Sequence, residues 1–146
     1  MQPPLHGRRV LILGASGGLG RPVAQAFLHA GARVAGTARK WPSPPSDGLL
    51  PINSDLTRRG EAERTVEAAL SALGGLDVVI HLAGAFALEG SIAQTSIETF
   101  DRLLDLNLRS AFLAFRSAAP AVSHPNGRLL ALGAAAALRP GPSLSA

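Results

Sequence analysis

The sequence predicts an α/β protein with three layers, α/β/α, around a parallel sheet of about five strands. Short apolar segments of strand length alternate with segments whose apolar residues recur at helical spacing. Residues 77–82 (DVVIHL) are apolar almost throughout, as expected for a strand buried on both faces. A glycine-rich run, residues 14–20, joins the first strand directly to the first helix. We therefore expect one domain over residues 1–146, with the strand order 3-2-1-4-5.

The first strand, helix and second strand follow one another closely. Residues 8–13 (RRVLIL) form a short apolar run, and residues 32–37 (ARVAGT) form a second one. Between them, apolar residues at intervals of three and four predict a helix face of Val23, Ala26, Phe27 and Ala30. Pro22 suits the first turn of this helix, and Gly31 suits the position after its end.

The middle of the chain continues the alternation. Residues 39–48 are rich in proline and predict a loop, and residues 49–53 (LLPIN) predict a third strand. Pro51 favours an edge position for that strand because proline donates no backbone hydrogen bond. A second helix is predicted over residues 58–73. Its buried side would consist of Ala62, Val66, Ala69, Leu70 and Leu73.

A long helix and a fifth strand complete the predicted domain. Thr95 and Glu98 have the spacing of a capping box, which predicts a helix from there to about Val122. Its apolar residues would form core or a face for a partner helix. Residues 129–132 (LLAL) predict the fifth strand.

Composition excludes several classes of protein. A hydrophobic share of 47% excludes a disordered chain, and the absence of cysteine excludes disulfides and thiolate zinc sites. The net charge is +4, but the arginines are dispersed and aromatic residues make up only 4%, which argues against nucleic acid. No metal-ligand spacing, signal peptide or apolar run of about 20 residues is present. We expect a cytoplasmic protein without metal or membrane partner.

The glycine run is the principal candidate for a binding site. Gly14, Gly18 and Gly20 give G-x-x-x-G-x-G spacing, and Gly14, Gly17 and Gly20 give G-x-x-G-x-x-G. Either pattern lets a strand turn tightly into a helix and lets a pyrophosphate approach the free amides at the helix start. No carboxylate lies between Gly14 and Gly31 to repel an anion. The pattern predicts nucleotide binding; the alternative is a turn that binds nothing.

The end of the second strand bears on which dinucleotide would bind. An NAD site typically has Asp or Glu there to hold the ribose 2′-hydroxyl. This sequence has Arg39 and Lys40 instead, and its next acidic residue is Asp47, beyond the proline loop. A guanidinium can bind a 2′-phosphate through two hydrogen bonds, so the sequence favours NADP over NAD. The alternative is a solvated arginine at a strand end.

Several segments in order resemble the short-chain dehydrogenases/reductases. The run GASGGLG (14–20) resembles that family's T-G-x-x-x-G-x-G, with Leu13 in place of the threonine. His81-Leu82-Ala83-Gly84 stands where the family has N-N-A-G. The segment FDRLLDLNLRSAF (100–112) is similar to its long-helix signature, and GRLLAL (127–132) to the strand before its catalytic serine.

The resemblance implies a hydride-transferring enzyme that uses NADP and a small carbonyl, alcohol or imine-like substrate. It implies that the pyrophosphate would be held by Gly14, Ser16, Gly18, Leu19 and Gly20. It places the 2′-phosphate on Arg39, the adenine beside Asp55 and Leu56, and the adenosine ribose against Ala83 and Gly84. Asp55 is also a candidate cap for the following helix. Asn107 falls on the family's catalytic asparagine.

Two departures from the family bear on catalysis. The family's serine is replaced, with Ala134 the best match, and the chain has no tyrosine. Its only lysine, Lys40, lies in a loop, so the chain resembles a family member cut just before the Tyr-x-x-x-Lys motif. We expect residues 1–146 to bind cofactor without turnover; a non-catalytic dinucleotide-binding or sensor module is the alternative. His81 is expected to be a satisfied core residue. The fifth strand, or the face on which its neighbour would dock, is expected to be uncovered, which predicts either self-association as a homo-oligomer or poor solubility.

Overall fold

The computed structural model describes residues 3–42, 44–122, 124–134 and 138. Its strands are β1 (Arg9–Leu13), β2 (Arg33–Ala38), β3 (Leu49–Asn53), β4 (Val78–His81) and β5 (Arg128–Ala131). Its helices are α1 (Gly20–His29), α2 (Glu61–Leu73), α3 (Ile97–Leu104) and α4 (Ser110–Ala118). A 3₁₀ turn (Ile92–Gln94) precedes α3, and a π-helical turn (Asp105–Arg109) joins α3 to α4. No helix in these ranges is long and apolar enough to cross a bilayer.

The five strands form one parallel sheet in the order β3-β2-β1-β4-β5, which confirms the predicted topology. Successive residues of a strand face opposite sides of a sheet, so β1 contributes to two cores. Leu11 and Leu13 pack with buried residues of α2 and α4 on one side. Val10 and Ile12 pack with Ala24 of α1 on the other side. Helices on both faces give the predicted three layers.

Helix α1 buries the predicted face only in part: Val23 and Phe27 pack against the core, whereas Ala26 does not. Gly20 and Ala24 are its buried residues, and Ala26 is exposed. The cause is the start of the helix, where a side chain on Gly20 would collide with the backbone oxygen of Gly14. This contact turns the face through Gly20 and Ala24 toward the sheet, so Ala26 points outward. Gly31 follows the helix with φ +87°, as predicted.

Helix α2 begins at Glu61, three residues later than predicted. Gly60 precedes it with φ +78°, a left-handed conformation that cannot continue from an earlier helical turn. Asp55 therefore does not cap the helix. Its backbone oxygen accepts from the Arg58 amide at 2.9 Å in a separate turn. The end of α2 is as predicted, with Gly74 as its left-handed C-cap.

The predicted capping box at Thr95 and Glu98 is wrong. Ser96 is the N-cap of α3, and its hydroxyl accepts from the Thr99 amide at 3.2 Å. The Glu89 carboxylate also accepts from the Ser96 amide, at 2.9 Å. Thr95 instead ends the preceding 3₁₀ turn, which itself has a capping box. The prediction found the helix start to within two residues but not the side chains that stabilise it.

The predicted single helix to Val122 is interrupted by the π-helical turn and ends at Ala118. Along it, Leu103 is buried, whereas Phe100, Leu104 and Phe112 are 45%, 39% and 62% exposed. The apolar set predicted for this segment is therefore divided between the core and an open face.

An arginine–carboxylate pair fixes the amino ends of β1 and β4. Arg9 donates to Asp77 through Nε and Nη2, both at 3.0 Å, and through its backbone amide at 2.8 Å. Arg9 Nη1 also donates to the Gly74 oxygen at the end of α2, at 2.9 Å. The Arg9 hydrogen bonds lower the pKa of the Asp77 carboxyl to about 2. Such two-pronged pairs fix geometry as well as adding stability.

The two edges of the sheet are protected differently. At the β3 edge Pro51 removes one backbone donor from the strand, and β3 lies at the edge as predicted. The β5 edge consists of Arg128–Ala131, all exposed, with no proline. In the part of the chain that the structure describes, no strand pairs with its outer side. An open apolar edge is a template for pairing with another chain.

We expect residues 1–146 to self-associate through β5, and Leu130→Lys to reduce this because a charge on an edge strand opposes pairing. Leu50→Lys on the proline-containing edge is the matched control, since Leu50 and Leu130 are 39% and 43% exposed. Sedimentation velocity over a range of concentrations measures the effect. A wild-type chain that stays monomeric at high concentration contradicts the expectation.

Candidate functional site

The glycine turn lies at the carboxyl end of β1, where it approaches the segment after β4. Gly14 has φ +87°, and a Cβ there would lie 2.7 Å from the Ala83 backbone nitrogen. A side chain on Gly20 would meet the backbone of Gly14 and Ala15. Gly18, in contrast, has open space beside it, since a Cβ at this position would meet no atom within 4 Å. Two glycines thus permit close packing, and the third leaves the backbone accessible.

The amino terminus of α1, with its partial positive charge, lies at the end of this turn. Its N-cap is Leu19, which makes no side-chain capping hydrogen bond, and its first turn contains no acidic residue. The amides at a helix start carry partial positive charge, and here no carboxylate of the first turn neutralises them. This arrangement is suited to an anion.

Thr37 holds the glycine turn against β2 and was missed as a site residue by the sequence analysis. Its hydroxyl accepts from the Gly14 amide at 3.1 Å, and its backbone oxygen accepts from the Ala15 amide at 2.8 Å. Thr37 is 1% exposed. A hydroxyl near the end of an otherwise apolar strand was the available signal. The partner of that hydroxyl, however, lies 23 residues away in sequence.

A cleft of about 200 Å³ lies at the carboxyl ends of β1, β2 and β4. Its lining residues are Gly14, Ser16, Gly17, Thr37, Ala38, Arg39, Ser54, Leu56, Ala83, Gly84 and Leu106. The structure thus brings together most of the residues predicted to bind a cofactor, from four separate segments. Gly18, Leu19, Gly20 and Asp55 do not line it. Parallel α/β sheets generally bind ligands at this edge.

Arg39 and Asp55 lie on neighbouring strand ends but have different surroundings. The Asp55 carboxylate accepts from the Thr57 hydroxyl at 2.6 Å and the Thr57 amide at 3.2 Å. The Thr57 hydroxyl, together with the charges of Arg58 and Arg39, holds the pKa of Asp55 below its usual range. Arg39 is exposed, and no described acidic side chain forms an ion pair with it. Its guanidinium is therefore available at the cleft.

The Asn107 side chain is bound to the segment that forms one wall of the cleft. Its Oδ1 accepts from the Ala85 amide at 2.8 Å, and its Nδ2 donates to the Ala85 oxygen at 2.9 Å. A Cβ on Gly84 would lie 3.1 Å from Asn107 Oδ1, so the contact is close. Both polar groups of the side chain are engaged by backbone.

A second cavity, of about 680 Å³, adjoins the first on the β5 side. Its lining residues are Ala83, Gly84, Ala85, Phe86, Asn107, Leu108, Leu132, Gly133 and Ala134. The structure therefore brings Asn107 and Ala134 to one cavity, as the family resemblance implied. Only Asn107 among these lining residues has a polar side chain. The cavity walls as described contain no side-chain acid or base.

His81 is a satisfied core residue, as predicted. It is 3% exposed, and its Nε2 lies 2.8 Å from the Ser110 hydroxyl. The Phe115 ring meets it edge-on, with 6.4 Å between ring centroids. Burial lowers the pKa of His81 below its ordinary value and so favours the neutral ring. Within the described ranges, no group of three His, Asp or Glu side chains is placed to hold a metal ion.

Comparison with known proteins identifies a family. A family model described as short chain dehydrogenase matches residues 8–146. An uncharacterized oxidoreductase of Schizosaccharomyces pombe is 35% identical over 116 residues, which cover 80% of this chain and 45% of that protein. The chain spans about half the length of the curated relatives it matches.

Two solved structures of dinucleotide complexes show the same fold. NADH-dependent reductase A1-R′ complexed with NAD has a TM-score of 0.89 and 26% identity, over 99% of this chain and 67% of that one. A Burkholderia cenocepacia short chain dehydrogenase in complex with NADP has a TM-score of 0.88 and 28% identity, over 97% of this chain and 61% of that one.

The contrast between two glycines tests the construction of the turn. We expect Gly14→Ala to lower the free energy of unfolding by about 1–3 kcal/mol, because of its left-handed φ and the approach of Ala83. Gly18→Ala is the control, and we expect it to change stability by less than about 1 kcal/mol. Urea unfolding measures both. Equal stabilities for the two variants would contradict the assigned roles.

Proposed function

The chain belongs to the short-chain dehydrogenase family, and on that premise we propose that residues 1–146 bind NADP in the cleft beside the glycine turn. The observation that carries the proposal is the convergence of six predicted residues on one cleft. These residues are Gly14, Ser16, Arg39, Leu56, Ala83 and Gly84. They come from turns and strand ends far apart in sequence, at the edge of the sheet where such ligands bind.

The chemistry of the cleft fits an anionic dinucleotide. The open backbone at Gly18 and the uncapped start of α1, at Leu19 and Gly20, offer amide donors to a pyrophosphate. When bound, the nicotinamide would donate or accept a hydride. Leu56 would pack against the adenine, with Asp55 beside it. Ala83 and Gly84 would lie against the adenosine ribose.

Preference for NADP over NAD rests on Arg39. Its side chain lines the cleft at the end of β2, where an acidic residue would favour the free ribose hydroxyls of NAD. A guanidinium there would pair with a 2′-phosphate. One structural neighbour is a complex with NAD and another is a complex with NADP, so the preference rests on this chain's own Arg39.

We further propose that residues 1–146 do not turn over a substrate. Ala134 provides no hydroxyl to the second cavity, and the chain has no tyrosine. A positioned general acid or base contributes about 10²–10⁴-fold to such reactions. The family's reaction, on a small carbonyl, alcohol or imine-like compound, would lack that contribution here. The polar atoms of Asn107 are engaged by Ala85, which favours a non-catalytic dinucleotide-binding module as the second candidate function.

Arg39→Ala tests the cofactor preference. We expect the affinity for NADP to fall about tenfold or more, since a charged hydrogen bond contributes about 1.5–3 kcal/mol, while NAD binding is unchanged. Arg59→Ala is the control, because Arg59 is also exposed but lies outside the cleft. Isothermal titration calorimetry with both dinucleotides measures the constants. Tighter binding of NAD than of NADP by the wild-type chain would overturn the preference.

Turnover is tested with the same material. We expect residues 1–146 to bind NADPH yet leave its absorbance unchanged with a panel of ketones, aldehydes and cyclic imines. Ala134→Ser should behave identically, because a serine alone supplies no proton donor of suitable pKa. NADPH consumption that disappears in Gly14→Ala would show genuine activity and refute the proposal.

A further inference from the structure

We propose that His81 and Ser110 are positioning residues: together they hold the π-helical turn, and through it Asn107 and the wall formed by residues 83–85. The inference deepens the proposed function and rests on it, because that wall borders the proposed cofactor cleft. It starts from the hydrogen bonds inside the turn.

The π-helical turn leaves one carbonyl without its usual helical partner. The Ser110 amide donates to the Asp105 oxygen, five residues back. In an α-helix this amide would donate to the Leu106 oxygen, four residues back. The Ser110 hydroxyl donates to the Leu106 oxygen instead. One serine thus supplies two hydrogen bonds at the end of the wide turn, one from its amide and one from its hydroxyl.

His81 is the second hydrogen-bonding partner of the Ser110 hydroxyl. A hydroxyl has one proton, and Ser110 uses it on Leu106. With that proton on Leu106, we assign His81 Nε2 as the donor across its 2.8 Å contact with Ser110 Oγ, and this tautomer is part of the proposal. Neither residue is exposed, at 3% for His81 and 0% for Ser110, so water cannot replace these bonds without rearrangement.

Two contacts attach the π-helical turn to the end of β4 and to the segment that follows β4. His81 is the last residue of β4 and binds Ser110, which follows the turn. Asn107, inside the turn, binds both backbone groups of Ala85, four residues after His81. Leu106, whose carbonyl accepts the serine hydroxyl, lines the cofactor cleft. The two attachments hold the segment between them against the turn.

Loss of the serine hydroxyl has a definite structural consequence. Without it, the Ser110 position can donate its amide to Leu106 and close a regular α-helical turn. Residues of an α-helix are about 100° apart around the axis, so this change of register would rotate Asn107 away from Ala85. The wall of residues 83–85 would then lose its side-chain support.

The experiment compares four variants in the ligand-free and NADP-bound chain. Ser110→Ala and His81→Leu remove the interaction. His81→Gln retains a donor at a similar distance from the backbone. Thr65→Val is the matched control: it removes another buried hydroxyl pair, between Thr65 and Ser54 at 2.7 Å, away from the turn. The readouts are the Asn107 side-chain amide resonances without ligand, the tautomer of His81 by nitrogen NMR, and NADP affinity.

We expect neutral His81 protonated at Nε2 in the wild-type chain. Ser110→Ala and His81→Leu should accelerate exchange of the Asn107 amide protons and weaken NADP binding about tenfold. His81→Gln should restore both. Thr65→Val should lower stability while leaving the Asn107 resonances unchanged; because its partner Ser54 lines the cleft, this control is read by the Asn107 resonances and not by NADP affinity. Unchanged Asn107 resonances in Ser110→Ala, or the same defects in His81→Leu and His81→Gln, would overturn the inference.

The two proposals fail separately. If the wild-type chain does not bind NADP, the proposed function is wrong, but the Asn107 resonances still decide the positioning role. If the wild-type chain binds NADP and Ser110→Ala changes neither readout, only the positioning role is wrong. The two His81 variants give the same decision should Ser110→Ala fail to fold.

Discussion

The close approach of two backbones, at Gly14 and Ala83, is the constraint on which the site depends. A side chain at Gly14 would collide with the Ala83 nitrogen, so the end of β1 can lie against the segment after β4 only because Gly14 has none. Thr37 completes the arrangement by binding the Gly14 amide from β2. Three neighbouring strand ends are thereby drawn together, and the cleft is the space that remains between them and Leu106.

The amino and carboxyl ends of the strands differ in how fully they are hydrogen-bonded. At the amino ends, Arg9 and Asp77 join β1, β4 and the end of α2 through charged hydrogen bonds. The carboxyl ends carry open backbone and the exposed guanidinium of Arg39. Parallel α/β folds generally bind ligands at the carboxyl ends of their strands. Here the opposite, amino-terminal edge of the sheet is held by hydrogen bonds. These bonds allow the accessible edge to remain polar and incompletely bonded without loss of the sheet.

The second cavity has no acidic or basic side chain among its described lining residues. Asn107 and Ala134 meet there, but the asparagine is bound to Ala85 and the alanine has no polar group. The features that would hold a dinucleotide are therefore well formed, while those that would move a proton are not among the described residues. The His81–Ser110 pair does not line this cavity, and the role proposed for it is to position Asn107 rather than to transfer a proton.

The sheet order, the strand–glycine turn–helix unit, the edge position of the strand with Pro51 and most of the residues that line the cleft could be predicted before the fold was known. The strand–turn–helix unit and the edge strand follow from local periodicity and from residue types with strong backbone preferences. Most of the cleft residues followed instead from the resemblance to the short-chain dehydrogenases/reductases. Three features became evident only in the folded chain: Ala26 faces solvent, Ser96 caps α3, and the long helix contains a π-helical turn. Its register depends on Ser110 and His81, 29 residues apart, and such a contact leaves no periodic signal in either segment.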